Sequence, residues 1–173
     1  MRLSLRQEIK EDYKETYEVV KNAFLNAEFT DHNEQNLVNK LRESNTFIKE
    51  LSIIAEKDSK IVGHILFTKI KIGDNESLAL APLSVLEEYQ NKGVGKELIL
   101  KGHEIAKSLG FKSVIVLGHP TYYKKFGYKN AIDFNIKAPF DVPEDCFMAI
   151  ELIAGGLKGV SGVVEYPKVF LSN

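Results

Sequence analysis

Six residues, Gln90-Asn91-Lys92-Gly93-Val94-Gly95, stand between a strand-length run without ionisable groups, Leu78 to Leu86, and a long amphipathic stretch. In that stretch Val94, Leu98, Ile105 and Leu109 fall on one helical face, which predicts a helix from Val94 to Leu109. A turn with two glycines at the start of a helix lets several backbone N–H groups point at one spot. The helix dipole makes that spot attractive to anions. Lys92 and Lys96 add positive charge beside it. The order strand, turn, helix therefore predicts a phosphate cradle. The plainer reading is a glycine-softened turn that only starts a helix.

Two common phosphate motifs do not fit. A Walker A loop needs a glycine where Gln90 stands and a hydroxyl where Glu97 stands, so there is no Mg²⁺ ligand. A dinucleotide fingerprint needs a third glycine where the chain has Leu98. The pattern that fits is Gln/Arg-x-x-Gly-x-Gly/Ala. It resembles the pyrophosphate loop of the GNAT superfamily of N-acetyltransferases.

A second motif follows one helix and one strand later. Gly110 is placed to end the helix, with Phe111 behind it, and Ser113 to Leu117 reads as a buried strand. Then comes Gly118-His119-Pro120-Thr121-Tyr122-Tyr123-Lys124-Lys125-Phe126-Gly127-Tyr128. This resembles the superfamily's aromatic-Tyr-x-x-aromatic-Gly-aromatic signature, borne on a short helix after the fifth strand. Tyr122, Phe126 and Tyr128 read as a core aromatic cluster; Tyr123, four residues before Gly127, takes the signature tyrosine's place. The segments Ala81-Pro82-Leu83-Ser84-Val85, Leu117 to Tyr123, Phe147 to Leu152 and Gly162 to Tyr166 are similar to the YhbS-like branch. The likeness spans essentially the whole chain. One departure is His119, where that branch more often has an acidic residue.

The resemblance implies an α+β fold, a mixed and mostly antiparallel sheet flanked by helices, with the fourth and fifth strands splayed. It implies acetyl-CoA as co-substrate, with no metal. The pyrophosphate would rest on the stretch Gln90, Asn91, Lys92, Gly93, Val94, Gly95 and Lys96. The pantetheine arm would pair with backbone at Leu83, Ser84 and Val85, and a backbone N–H near Val85 would face the thioester carbonyl. Tyr123 would flank the arm and protonate the departing thiolate. A phenol with an ordinary pKa of about 10 is protonated at neutral pH and suits that task.

A general base is harder to read. The strand Leu78 to Leu86 offers only Ser84 and no titratable group. Glu87 and Glu88 suit a solvated or helix-capping role. The candidates are Glu28, Asp31 and His32, in the polar loop Asn26 to Asn33, with Glu56, His64 and His119. His64 shares strand parity with Val62 and Leu66 and reads as a sheet histidine, and His103 within the helix has no assigned role. His119 stands first because it precedes the Tyr123 helix and an imidazole titrates near neutrality.

Composition bounds the rest. At 173 residues and 44% hydrophobic, the chain suits one domain spanning residues 1–173. A formal net charge of −1 speaks against a nucleic-acid partner. Cys146 is the only cysteine, so neither an intrachain disulfide nor a cysteine metal cluster is expected. The residues Met1 to Glu8 carry no apolar signal core, and no apolar run reaches the ~18 residues of a membrane span. These readings predict a cytoplasmic protein without a membrane partner.

Along the chain, Leu3 to Arg6 predicts a strand, and Asp12 with Glu15 a capping box. A helix with Tyr13, Tyr17, Val20 and Phe24 on its core face follows, then a second with Leu37, Val38 and Leu41. Ile53 to Glu56 and Ile61 to Ile72 predict strands joined at Asp58-Ser59, and Gly73-Asp74-Asn75 turns the chain into the cradle strand. Ala138 to Asp145, with two prolines, is the strongest boundary signal but does not mark a separate domain.

The expected activity is direct transfer of an acetyl group to a primary amine, a small molecule or a peptide, in a ternary complex. Another acyl-CoA or a hydroxyl acceptor is the enzymatic alternative. A catalytically silent CoA-binding module, or a partner-binding domain without CoA, is the alternative from another class. Neither the acceptor nor the oligomeric state, a homodimer included, can be read from these residues.

Overall fold

The computed structural model describes residues 2–27 and 30–170. Its first strand, β1 (Ser4–Gln7), pairs antiparallel with β2 (Phe47–Lys57), Ser4 opposite Glu56 and Gln7 opposite Ile53. Between them lie helices α1 (Tyr13–Ala23) and α2 (Glu34–Arg42). α1 buries Thr16, Val19 and Val20, while Tyr13, Tyr17 and Phe24 are half-buried, so the core stripe is rotated from the expected one. The expected capping box does not form. The Asp12 carboxylate instead accepts the Ile9 N–H (2.8 Å) and both Arg6 Nη groups (2.7 and 2.8 Å), and Glu15 accepts the Ile61 N–H (2.8 Å). An arginine offering two donors in a fixed fork outcompetes a single capping bond.

The strands β2 and β3 (Lys60–Ile72) form a hairpin on Asp58 and Ser59, whose φ angles are +51° and +64°. Two left-handed residues match the right-handed twist of the flanking strands. β2 extends well beyond the four residues, Ile53 to Glu56, that announced it, and its first positions are only half-buried. Gly73 (φ +61°) then leads into β4 (Asn75–Val85), which contains a cis Ala81–Pro82 peptide.

Helix α3 (Val94–Ser108) buries Val94, Gly95, Leu98, Ile99, Gly102 and Ala106. Leu109, expected on that face, is 42% exposed. It lies past the last helical turn, where Phe111 N–H reaches the Ala106 carbonyl (3.0 Å) and Gly110 takes φ +93°, closing the helix as a Schellman motif.

The remaining strands are β5 (Ser113–Leu117), β6 (Lys129–Asn130), β7 (Ile136–Lys137), β8 (Phe147–Glu151) and β9 (Gly162–Glu165). The single-turn helix α4 (Pro120–Tyr123) follows β5.

The chain packs as two compact units, Met1–Phe67 with Ala81–Ile105, and Thr68–Leu80 with Ala106–Asn173. In the first, the sheet runs β1-β2-β3-β4 and its core includes Val20, Leu41, Ile53, Ile65 and Leu98. In the second it runs β3-β4-β5-β8-β6, with β9 pairing β3 and β7. Its core gathers Ile72, Ile115, Ile136, Phe147 and Val164.

The sheet is mostly antiparallel, as expected. The β4–β5 ladder is parallel and holds only Leu78 opposite Val114 and Ala79 opposite Ile115, although both strands continue beyond it.

Candidate active site

In the first unit, one glycine of β3 determines how α3 is seated. A Cβ on Gly63 would lie 3.0 Å from Val94 and 3.1 Å from Leu98, so its absence lets the start of α3 settle onto the strand. The loop in front is closed by Gln90, whose side-chain amide donates to the Val85 carbonyl at 3.0 Å. Gln90 thus holds the loop to the end of β4.

Asn91 (φ +60°) and Gly93 (φ +87°) are the loop's left-handed residues. Gly95 lies inside α3, so of the two glycines Gly93 is left-handed and Gly95 is helical. A Cβ on Gly93 would meet nothing within 4 Å, and the space above its bare Cα is open. The Glu97 N–H donates to the Gly93 carbonyl (3.0 Å). The N–H groups of Val94, Gly95 and Lys96 precede it in the first turn, where an α-helix leaves its donors unclaimed. Lys92 and Lys96 are exposed beside them, opposed by one carboxylate of the same turn, Glu97. Open space above a glycine, first-turn donors and two ammonium groups together suit a pyrophosphate.

Ser84 is 1% exposed, and its hydroxyl has no hydrogen-bond partner among the described residues. Leu83 and Val85 are half-buried on the same strand.

In the second unit, β5 ends at Leu117, and Gly118 N–H donates to the Cys146 carbonyl at 2.9 Å. The His119 carbonyl then accepts the N–H groups of Tyr122 and Tyr123, both at 3.2 Å, starting α4 on Pro120 at its first position. Tyr123 is therefore held on a rigid turn. Its ring meets Tyr122 edge-on at 5.1 Å and Tyr128 at 5.7 Å between centroids. Burial, reinforced by Tyr122, pushes its phenol well above the ordinary range, so it stays protonated at any physiological pH. Tyr128 is 2% exposed and Tyr122 meets Phe126 edge-on at 5.3 Å, so the aromatic cluster expected of Tyr122, Phe126 and Tyr128 is joined through Tyr123.

His119 is exposed, with Thr121 Oγ1 3.4 Å from its Nδ1. It shares the turn with Tyr123 through the backbone.

The other base candidates are engaged or exposed. Glu56 accepts from Arg6 at 2.6 Å and Asp31 from the Asn33 N–H at 2.9 Å, and His32 is exposed. Glu87 and Glu88 are exposed, in keeping with a solvated role, and Glu87 accepts from Asn26 at 3.0 Å. Glu28 lies outside the described residues.

His64 is fully buried in a polar chain. Arg42 pairs with Glu8 (2.7 Å), Ser52 donates to Glu8 (2.7 Å), and Ser52 Oγ meets His64 Nε2 at 2.9 Å. Because the serine proton goes to the carboxylate, His64 donates from Nε2. Its Nδ1 has no partner among the described residues. Burial first, then Arg42, push its pKa down to about 4, which Glu8 opposes only in part. It is the sheet histidine that strand parity indicated.

Sequence reading missed one grouping. Lys57, Lys60 and Lys92 converge on the Tyr89 ring. The hairpin brings together residues some thirty positions apart, and no local pattern announces that.

Among the described residues no group of three or more metal-ligating side chains occurs, and no helix is long and apolar enough to cross a membrane.

Loop, aromatic turn and mixed sheet define an acetyltransferase-type α+β protein. Residues 6–128 match the Acetyltransferase (GNAT) family, and the chain belongs to that family. It is similar to the uncharacterized N-acetyltransferase YjhQ of Escherichia coli, 41% identical over 129 residues covering 70% of this chain and 71% of that one. It is likewise similar to E. coli YhbS, whose crystal structure in complex with CoA superposes with a TM-score of 0.90 at 26% identity, covering 99% and 93% of the two chains. A GNAT family acetyltransferase from Brucella melitensis, solved with acetyl-CoA, gives 0.80 at 28% identity over 98% of each chain.

Proposed function

We propose that this protein is an acetyl-CoA-dependent N-acetyltransferase that moves the acetyl group directly to a primary amine in a ternary complex. The observation that carries the reading is the turn into α3, with Gly93 at φ +87° under open space and the first-turn donors behind it. CoA in the solved relatives YhbS and the Brucella protein supports it. We further propose one domain, since β3, β4 and α3 each contribute residues to both compact units. A single cysteine fits a reducing, cytoplasmic location.

In this reading the backbone of Asn91 to Lys96 holds the pyrophosphate, and Gln90 holds the loop. Backbone at Leu83, Ser84 and Val85 aligns the pantetheine arm. Acetyl-CoA supplies the thioester, whose C–S bond breaks as the acceptor nitrogen bonds to the acyl carbon. A backbone N–H at the end of β4 stabilises the charge that builds on the acyl oxygen. Tyr123 gives its phenolic proton to the departing sulfur and regains one from solvent before the next turnover. The amine's extra proton leaves through His119 or through water, since β4 from Leu78 to Val85 has no titratable side chain.

The test has two parts. CoA should raise the thermal midpoint in proportion to log concentration once saturating. Acetyl-CoA with a panel of polyamines, amino acids, aminoglycosides and peptide N-termini should release free thiol with at least one acceptor. Stabilisation without thiol release would leave a CoA-binding module; no stabilisation would overturn the CoA reading.

A further inference from the structure

Three lysines from two separate segments of the first unit surround one aromatic ring. The ammonium groups of Lys57, Lys60 and Lys92 stand 5.8, 5.9 and 5.8 Å from the centroid of the half-buried Tyr89 ring. Lys57 and Lys60 flank the left-handed Asp58-Ser59 turn, and Lys92 belongs to the phosphate loop. By these distances any two of the ammonium groups stand at most about 12 Å apart, and like charges within one to two screening lengths (~8 Å in physiological salt) repel one another.

Among the described residues, none of the three lies within ion-pair distance of a carboxylate. Glu56, Asp58, Glu87 and Glu88 are the acidic neighbours in sequence; Glu56 is engaged by Arg6 and Glu87 by Asn26. At nearly 6 Å the ring offers each ammonium only a weak contact. The cluster is thus a local excess of positive charge on an otherwise neutral chain, and it adjoins the loop assigned to a pyrophosphate.

We propose that Lys57, Lys60 and Lys92 bind the 3′-phosphate of the CoA adenosine and make the protein select CoA over its dephospho form. The inference rests on the CoA reading above. The chemistry fits because CoA carries, one ribose away from its 5′-pyrophosphate, a phosphate monoester. Such a group bears close to two negative charges at neutral pH. A compact dianion is what several ammonium groups, each a point charge on a flexible stem, can surround without a fixed geometry. Lys92, in the loop, bridges the two phosphate positions.

The experiment is titration calorimetry of CoA and 3′-dephospho-CoA against the wild type and a Lys57→Ala/Lys60→Ala variant, at low and physiological salt. The wild type should prefer CoA by roughly tenfold, the sum of modest exposed ion pairs. The preference should shrink as salt rises. The double variant should lose most of it by weakening CoA, with dephospho-CoA changed less than about twofold, and Lys57→Arg/Lys60→Arg should restore it. A wild type that binds both ligands equally, or a double variant that keeps the preference, overturns the inference and leaves the CoA reading standing. Failure of both ligands to bind the wild type overturns the CoA reading itself.

Discussion

The Tyr123 ring lies against the bare Cα of Gly118: a Cβ there would stand 2.5 Å from Cε2 and 3.0 Å from Cδ2 of the ring. Tyr123 is also boxed by Tyr122 and Tyr128, so the ring cannot swing away without disturbing its neighbours. Gly118→Ala should therefore displace the proposed proton donor while leaving the loop of the other unit untouched. The expected outcome is a lower kcat with acetyl-CoA affinity kept, and a stability loss of about 1–3 kcal/mol from overpacking. Kinetics and calorimetry on the same preparation check it; a wild-type kcat would mean that the ring's position does not matter to the reaction.

Tyr123→Phe removes only the hydroxyl. An interaction made mainly with the departing sulfur belongs to the transition state, so kcat and kcat/KM should fall together. The fall should be ~10- to 1,000-fold, the range of general acid–base groups. Acetyl-CoA affinity should not change. An unaltered kcat, with chemistry shown to be rate-limiting, would return Tyr123 to the aromatic cluster as packing alone.

At the loop, Gly93→Val tests backbone conformation rather than space. Its Cα faces open room, but a φ of +87° is one that a β-branched residue scarcely adopts. The loop should relax to another conformation and CoA binding should be lost, with little change in global stability because no core contact is touched. Lys92→Ala should weaken CoA only modestly. Wild-type CoA affinity in the Gly93 variant would refute the cradle.

Much of this was legible because it is local. The Asp58-Ser59 hairpin, the Schellman end at Gly110 and the alternation of buried Ile70 and Ile72 with Lys69 and Lys71 each follow from a few adjacent residues. What could not be read depends on partners distant in sequence. Asp12 was lost as a helix cap because Arg6 claims it, and Gly63 and Gly102 show no pattern of their own. A Cβ on Gly102 would run into the Phe67 ring, a contact that exists only once α3 lies on β3. The turn into α3 could be read from its glycines and Tyr123 was singled out by its resemblance to the family signature, whereas no such likeness pointed to a base. Proton removal asks for one titratable group in the right place, and several were available along the chain.

His119 is the remaining base candidate that is both exposed and on the Tyr123 turn. If it accepts the amine proton, His119→Ala should lower kcat/KM with a strongly basic acceptor more than with a weakly basic one, acetyl-CoA affinity being kept. The check is steady-state kinetics with two acceptors of different basicity. Wild-type kcat/KM in the variant with both acceptors would leave proton removal to water.

The buried chain Arg42–Glu8–Ser52–His64 predicts how stability responds to acid. Burial pushes His64 from 6.5 down to about 4. Above pH 6.5 the ring is neutral in both the folded and the unfolded chain, so its contribution to stability is fully present. Between 6.5 and 4 the unfolded chain binds a proton that the folded protein refuses, and stability falls with pH. By pH 4 the loss is on the order of 3 kcal/mol. Glu8 adds a further loss at lower pH. Burial would raise its carboxyl, but His64 and Arg42 outweigh burial and hold it below 4.5, so its contribution disappears as it protonates. Urea unfolding at a series of pH values from about 7.5 to about 5 reads His64 together with His103, which burial likewise pushes from 6.5 down to about 4, so the His64 share is taken from a variant. His64→Gln, less stable overall because it disturbs a buried chain, should show a flatter slope across that window. Equal slopes in the two proteins would mean that the ring is not kept neutral by burial, and that acid acts elsewhere in the fold.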